Sequence, residues 1–108
     1  MDIKERYKVA REKYFAMNPQ AAREIDSVSK AVIEAAGMTV DEYREQARAA
    51  AFVKAAGARG IEVDEFVIEL VADSPEQAQT WRMDRHRKIA SSLGIEWDDY
   101  KQLNRIVE

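Results

Sequence analysis

The chain has 108 residues, no cysteine and a formal net charge of −3; 46% of its residues are hydrophobic and 34% charged. The length fits one helical domain over 1–108 with a core of its own. The missing cysteine excludes disulfides, thiolate catalysis and Cys-ligated zinc, and the negative balance gives no global attraction to nucleic acid or to an anionic membrane. Four glycines and two prolines in an Ala-, Glu- and Arg-rich chain favour helix over strand. The first residues are charged and no apolar run approaches the ~18 residues of a membrane span, so the expected location is the cytoplasm.

Helix is predicted first over 2–16, with Asp2 as N-cap. Ile3, Tyr7, Ala10, Tyr14 and Met17 recur at helical spacing and make its inward stripe. Lys4, Arg6, Lys8, Arg11 and Lys13 flank that stripe with Glu5 and Glu12 interleaved, which reads as a solvated face. Asn18 and Pro19 then supply an N-cap and an N1 proline. A second helix is predicted to about residue 36, with Ala22, Ile25, Ser29, Val32 and Ala36 on one face, widened by Val28 and Ile33.

One phrase now appears and is used three times: Gly37-Met38-Thr39-Val40-Asp41-Glu42-Tyr43, Gly60-Ile61-Glu62-Val63-Asp64-Glu65-Phe66 and Gly94-Ile95-Glu96-Trp97-Asp98-Asp99-Tyr100. Glycine takes the left-handed backbone that stops a helix. With N-caps at Thr39, Glu62 and Glu96, the apolar residue before each cap and the aromatic five further on form a hydrophobic staple. The acids between them complement the positive end of the new helix by ~0.3–1 kcal/mol each. Thr39 with Glu42 makes a full capping box; Glu62 and Glu96 are poor caps. Because these acids lie in helical first turns rather than along a loop, they do not form a calcium site.

The third predicted helix spans 40 to about 56 and carries Tyr43, Ala47, Ala50, Ala51 and Val53, with its end open between Gly57 and Gly60. The fourth, over 63–72, has Phe66, Val67, Leu70 and Val71 on a dense apolar face and is expected to be central. The same residues could form a strand, but a lone strand has no partner in this chain. Ser74-Pro75-Glu76-Gln77 opens a fifth helix that runs to Leu93. A sixth covers 97 to about 107 with Trp97, Tyr100, Leu103 and Val107 inward. The phrases are 23 and 34 residues apart, so there is no fixed solenoid period. The expected fold is all-α, a compact bundle of about six helices joined by tight Gly-terminated turns.

Residues 88–105 fit a helix-turn-helix template through Ile89, Ala90, Leu93, Gly94, Ile95, Tyr100 and Leu103. The second helix of such a unit would face phosphate with Glu96, Asp98 and Asp99, and that charge opposes DNA binding. The run Arg82-Met83-Asp84-Arg85-His86-Arg87-Lys88 splits round the helix. His86 shares a partly apolar side with Arg82, Met83, Ile89, Ala90 and Leu93 and reads as a packed histidine. With no second histidine it nominates no metal site. Trp81, Arg85 and Lys88 occupy another side, at i, i+4 and i+7. They are the candidate partner-binding residues, since Trp and Arg are enriched in interface hot spots. The competing reading has Trp81 covering the core edge under Arg85.

The stretch 72–100, taken with the 38–43 phrase, resembles a family of short bacterial all-helical proteins of unknown function. The resemblance spans most of the chain and brings no activity with it. No catalytic residues, cofactor or small-molecule substrate are indicated, and the chain does not read as an enzyme. The expected function is a small interaction or regulatory module that binds another protein or a second copy of itself. The alternative is a nucleic-acid-associated protein using the helix-turn-helix-like corner and the 82–88 run.

Overall fold

Gly37, Gly60 and Gly94 have φ of 81°, 70° and 70°, the left-handed backbone that the repeated phrase requires. Each is followed by the six-to-one bond of a Schellman close: Met38 N–H to Ile33 O at 3.3 Å, Ile61 N–H to Ala56 O at 3.2 Å, and Ile95 N–H to Ala90 O at 3.0 Å. This computed structural model describes residues 1–107. Among the described residues there are seven helices and no strand: α1 Ile3–Met17, α2 Pro19–Asp26, α3 Lys30–Ala35, α4 Val40–Ala58, α5 Val63–Val71, α6 Pro75–Leu93 and α7 Trp97–Asn104. The chain's contacts gather into two units, Met1–Val71 and Ala72–Glu108.

In the first unit α1 packs on α5, α4 and α2, and α4 also meets α2, α3 and α5. Its core is aromatic. Phe52 of α4 is 0% exposed and stacks on Phe66 of α5 with ring centroids 4.9 Å apart. Tyr14 of α1 sets its edge against both rings, and Tyr7 sets its edge against Phe52. Such pairs add ~0.5–1.5 kcal/mol each beyond the area they bury. Ala10 of α1 and Ala56 of α4 are buried, as are Val67, Ile68 and Val71 of α5. Helix α5 is thus central, as its apolar density predicts, and it is a helix rather than a strand.

Polar contacts fix the ends and flanks. Asp2 accepts from Glu5 N–H at 2.8 Å and Thr39 from Glu42 N–H at 3.1 Å. No basic residue occupies the last turn of α5. Lys13 of α1 reaches across instead and donates to Leu70 O at 3.2 Å, placing a cation at the negative end of that helix. Arg11 of α1 holds Glu45 of α4 with both guanidinium nitrogens, at 2.6 and 3.2 Å. That hydrogen bond, with the Coulombic attraction behind it, lowers the Glu45 pKa and raises that of Arg11. Arg48 of α4 bonds Asp26 at 3.3 Å and lies over the Phe15 ring.

Several expectations change in this unit. Helix is interrupted at 27–29, where one continuous helix to residue 36 is predicted. Ser27 Oγ donates to Glu24 O at 2.7 Å, and Ser29 turns extended and caps α3 by accepting from Val32 N–H at 3.3 Å. Serine hydroxyls compete with the helix ladder in this way. The break rephases the next helix: Ile33 is buried and Val32 is exposed. Asn18 precedes Pro19 but makes no side-chain cap; its amide donates back to Tyr14 O at 2.9 Å and closes α1. In α4 the buried ring is Phe52, whereas Val53 is exposed. Ile3 and Met17, at the two ends of the α1 stripe, are exposed as well.

In the second unit α6 packs on α7. Ser74 accepts from Gln77 N–H at 3.1 Å, and Gln77 Oε1 reaches back to accept from Asp73 N–H at 2.7 Å, a capping box shifted by one residue. Helix α7 ends at Asn104, short of the predicted 107. Arg105 takes φ of 54° and Ile106 N–H donates to Lys101 O at 2.9 Å, the same close as at the glycines but without one. Leu103 and Val107, predicted inward, are therefore exposed, and Leu93 is exposed too.

Truncating Phe52 to Ala should cost ~3–5 kcal/mol, as large-to-small changes at closed sites do, and Phe66→Ala should be comparable because the two rings share one stack. Thermal melts of both variants, with Val53→Ala as the near-neutral control, check this. The Arg11–Glu45 pair adds a pH signature. The folded pKa of Glu45 lies below its unfolded value, so its contribution is complete above the unfolded pKa and is lost as pH falls through the folded one. Glu45→Gln should flatten that part of the acid limb of Tm against pH and leave the neutral and alkaline limbs in place.

Candidate functional site

The α6–α7 corner gathers two aromatic rings, a histidine and two cations round one turn. Gly94 closes α6 in the left-handed conformation, Ile95 N–H donates back to Ala90 O, and α7 then opens at Trp97 with Tyr100 buried. The Tyr100 hydroxyl and His86 Nδ1 of α6 lie 2.9 Å apart, one donating and the other accepting according to the imidazole tautomer. The two rings are tilted with centroids 5.7 Å apart. His86 is half-buried, the packed histidine that its position on α6 predicts.

Trp97 stacks on Tyr100 at 5.7 Å, with the planes 16° apart. The Arg87 guanidinium lies over the Trp97 ring at 4.7 Å, and the Lys101 ammonium lies 5.8 Å from its centroid. Lys101 is also paired with Asp98 at 3.4 Å. The indole is half-buried, so it presents a partly open aromatic surface already occupied by two cations of its own chain. A shallow groove runs beside it along the turn, lined by Arg87, Ala90, Ser91, Gly94, Ile95 and Glu96. The space above Gly94 is open, since a Cβ built there would meet nothing within 4 Å. A second groove lies at the far end of α7, lined by Asp98, Lys101, Gln102, Arg105 and Ile106 among others.

The three residues nominated from sequence all lie on α6, but they do not form an open anchor. Trp81 is 9% exposed, Arg85 is half-buried, and only Lys88 is exposed. The burial of Trp81 fits the reading in which it covers the core edge and removes it from the anchor patch. Trp81 and Ala90, about 180° apart round the helix, are both buried. The residue that sequence reasoning placed inward, Trp97, is the indole that reaches the surface. A signal for it was present: the other two phrases have Val40 and Val63 at the position of Trp97, and an indole exceeds what a staple needs there. Among the described residues no group of three His, Cys, Asp or Glu is placed to hold a metal ion, and no helix is long and apolar enough to cross a membrane.

The chain belongs to a family of unknown function, DUF6388, whose model matches residues 1–106 and so takes in both units. No curated protein and no solved structure matches it.

Replacing Tyr100 with Phe keeps the stack on Trp97 and removes only the bond to His86. The expected loss is about 1 kcal/mol, the net worth of one hydrogen bond. A urea melt measures it. A loss no larger than that of an exposed Tyr→Phe change would show that the bond does not hold the corner.

Proposed function

We propose that this protein is an interaction module that binds another protein through the α6–α7 corner, with Trp97 as the main contact. The observation that supports this reading is the half-buried Trp97 flanked by Arg87 and Lys101 and backed by the buried Tyr100. Trp, Tyr and Arg are the residue types that dominate interface hot spots. A rigid aromatic backed by packed core loses little conformational freedom on binding, so more of its contact energy is kept as affinity. Exposed Leu93 of α6 and Leu103 of α7 belong to the same two helices and add apolar surface to the unit. Arg85 and Lys88 share the Trp81 side of α6 and do not line the groove, and Trp81 itself is buried.

A nucleic acid is the other occupant to consider, because α6, Gly94 and α7 make a helix-turn-helix-like corner. Its entering helix begins with exposed Glu96, Asp98 and Asp99, which repel phosphate.

Trp97→Ala is the direct test. Affinity capture from lysate of the native host should retain a protein partner with the wild-type chain and lose it with the variant, since a hot-spot truncation removes ~2 kcal/mol or more of binding. The melting temperature should change far less than for Phe52→Ala. Capture of nucleic acid with a steep salt dependence would replace this reading with the other one, and undiminished capture by Trp97→Ala would remove the corner as the site.

A further inference from the structure

Resting on the reading of the corner as an interaction surface, we infer that its groove takes an arginine side chain of the partner, in the place that Arg87 fills in the free protein. The indole of Trp97 already carries a guanidinium at 4.7 Å, so the fit of that planar cation to this surface is demonstrated within the chain. Guanidinium stacks on aromatic faces better than ammonium and is more weakly hydrated.

The groove's lining holds one acid, Glu96, and one cation, Arg87 itself. Glu96 lines the groove, and Asp98 and Asp99 follow it, all three exposed. Lys101 is the one cation of α7 itself, and it is paired with Asp98. The groove also runs along the end of α6, a helix of 19 residues with no basic residue in its last turn. The negative end of that helix therefore has no cation within its own last turn, and Arg87 and Lys88 precede that turn. The last-turn residues Ala90 and Ser91, with Gly94 beyond them, are small, so a partner chain can approach the backbone there. Arg87 acts as a resident occupant: it shields the indole in the free protein and must leave when a partner's arginine arrives.

The wild-type chain has two indoles, Trp81 and Trp97, and their N–H resonances are assigned by comparison with Trp97→Phe. Short alternating arginine–glycine, lysine–glycine and glutamate–glycine peptides are titrated in turn. The arginine peptide should shift the Trp97 signal saturably and leave that of Trp81 in place, with the lysine peptide weaker. Arg87→Ala should tighten the arginine peptide by about two- to five-fold, the worth of an exposed cation–aromatic contact no longer in competition. Glu96→Gln should weaken it by a similar factor, about two- to five-fold. Weakening by Arg87→Ala, equal response to lysine, a response to the glutamate peptide alone, or no response to any peptide would each overturn the arginine assignment. If Trp97→Ala still abolishes capture of the partner in those cases, the corner remains the site and only the partner's chemistry is wrong; if capture survives as well, both readings fail.

Discussion

A helix that must reverse within a few residues has to satisfy its last carbonyls and redirect the chain at the same place, and the left-handed close does both. At Gly37, Gly60 and Gly94 the next apolar residue donates its N–H back into the preceding helix, which fixes where that residue lies. The same residue precedes the next N-cap, so it also sets the entry of the next helix. In the second and third phrases the aromatic is then buried, whereas Tyr43 of the first is half-buried. Phe66 arrives on Phe52 and makes the stack against which α1 sets Tyr7 and Tyr14. Tyr100 arrives beside His86 and under Trp97. One backbone constraint thus places the centre of the first unit and the floor of the candidate site in the second.

The electrostatics follow from the same phrase. It puts acids in the first turns of α4, α5 and α7, where they complement the helix N-terminus. Of the helices it opens, α4 and α5 have no basic residue in the last turn, whereas α7 has Lys101. At α5 the missing cation comes from α1, through Lys13. For α6 the last turn offers none, and the groove at that end is bordered by Glu96 and by Arg87 of the preceding turn.

How much of this could be read from residue order depends on whether the determining contact is local. The Schellman closes and the caps at Asp2, Thr39 and Ser74 involve residues within one turn, and they were legible. Choosing Phe52 over its neighbour Val53 was not, because the two differ by only about 100° round the helix and the Ala-rich surround marks no face. It takes α5, with Phe66, to select one. The break at 27–29 depends on two serine hydroxyls that are compatible with either outcome. The end of α7 was hidden because Arg105 adopts a conformation that costs a non-glycine residue roughly 1–2 kcal/mol; the bonds of the close offset it, and composition gives no hint of that. Spacing alone leaves Trp81 open between the core edge and an anchor patch, since helical spacing reports which residues share a side but not which sides are covered.

The position of Trp97 argues for function by departing from the repeat. In the first two phrases the residue opening the new helix is Val40 or Val63, and both are half-buried, which shows that a valine suffices to start the staple. In the third phrase the same position holds an indole, and the chain adds Arg87 from the preceding helix and Lys101 from the next turn to cover it. Stability alone does not demand that arrangement. The buried ring of this phrase is Tyr100, and an indole left half-buried contributes less to folding than one enclosed. An aromatic held on a packed ring and covered by two cations of its own chain is the feature on which the proposed interaction surface rests.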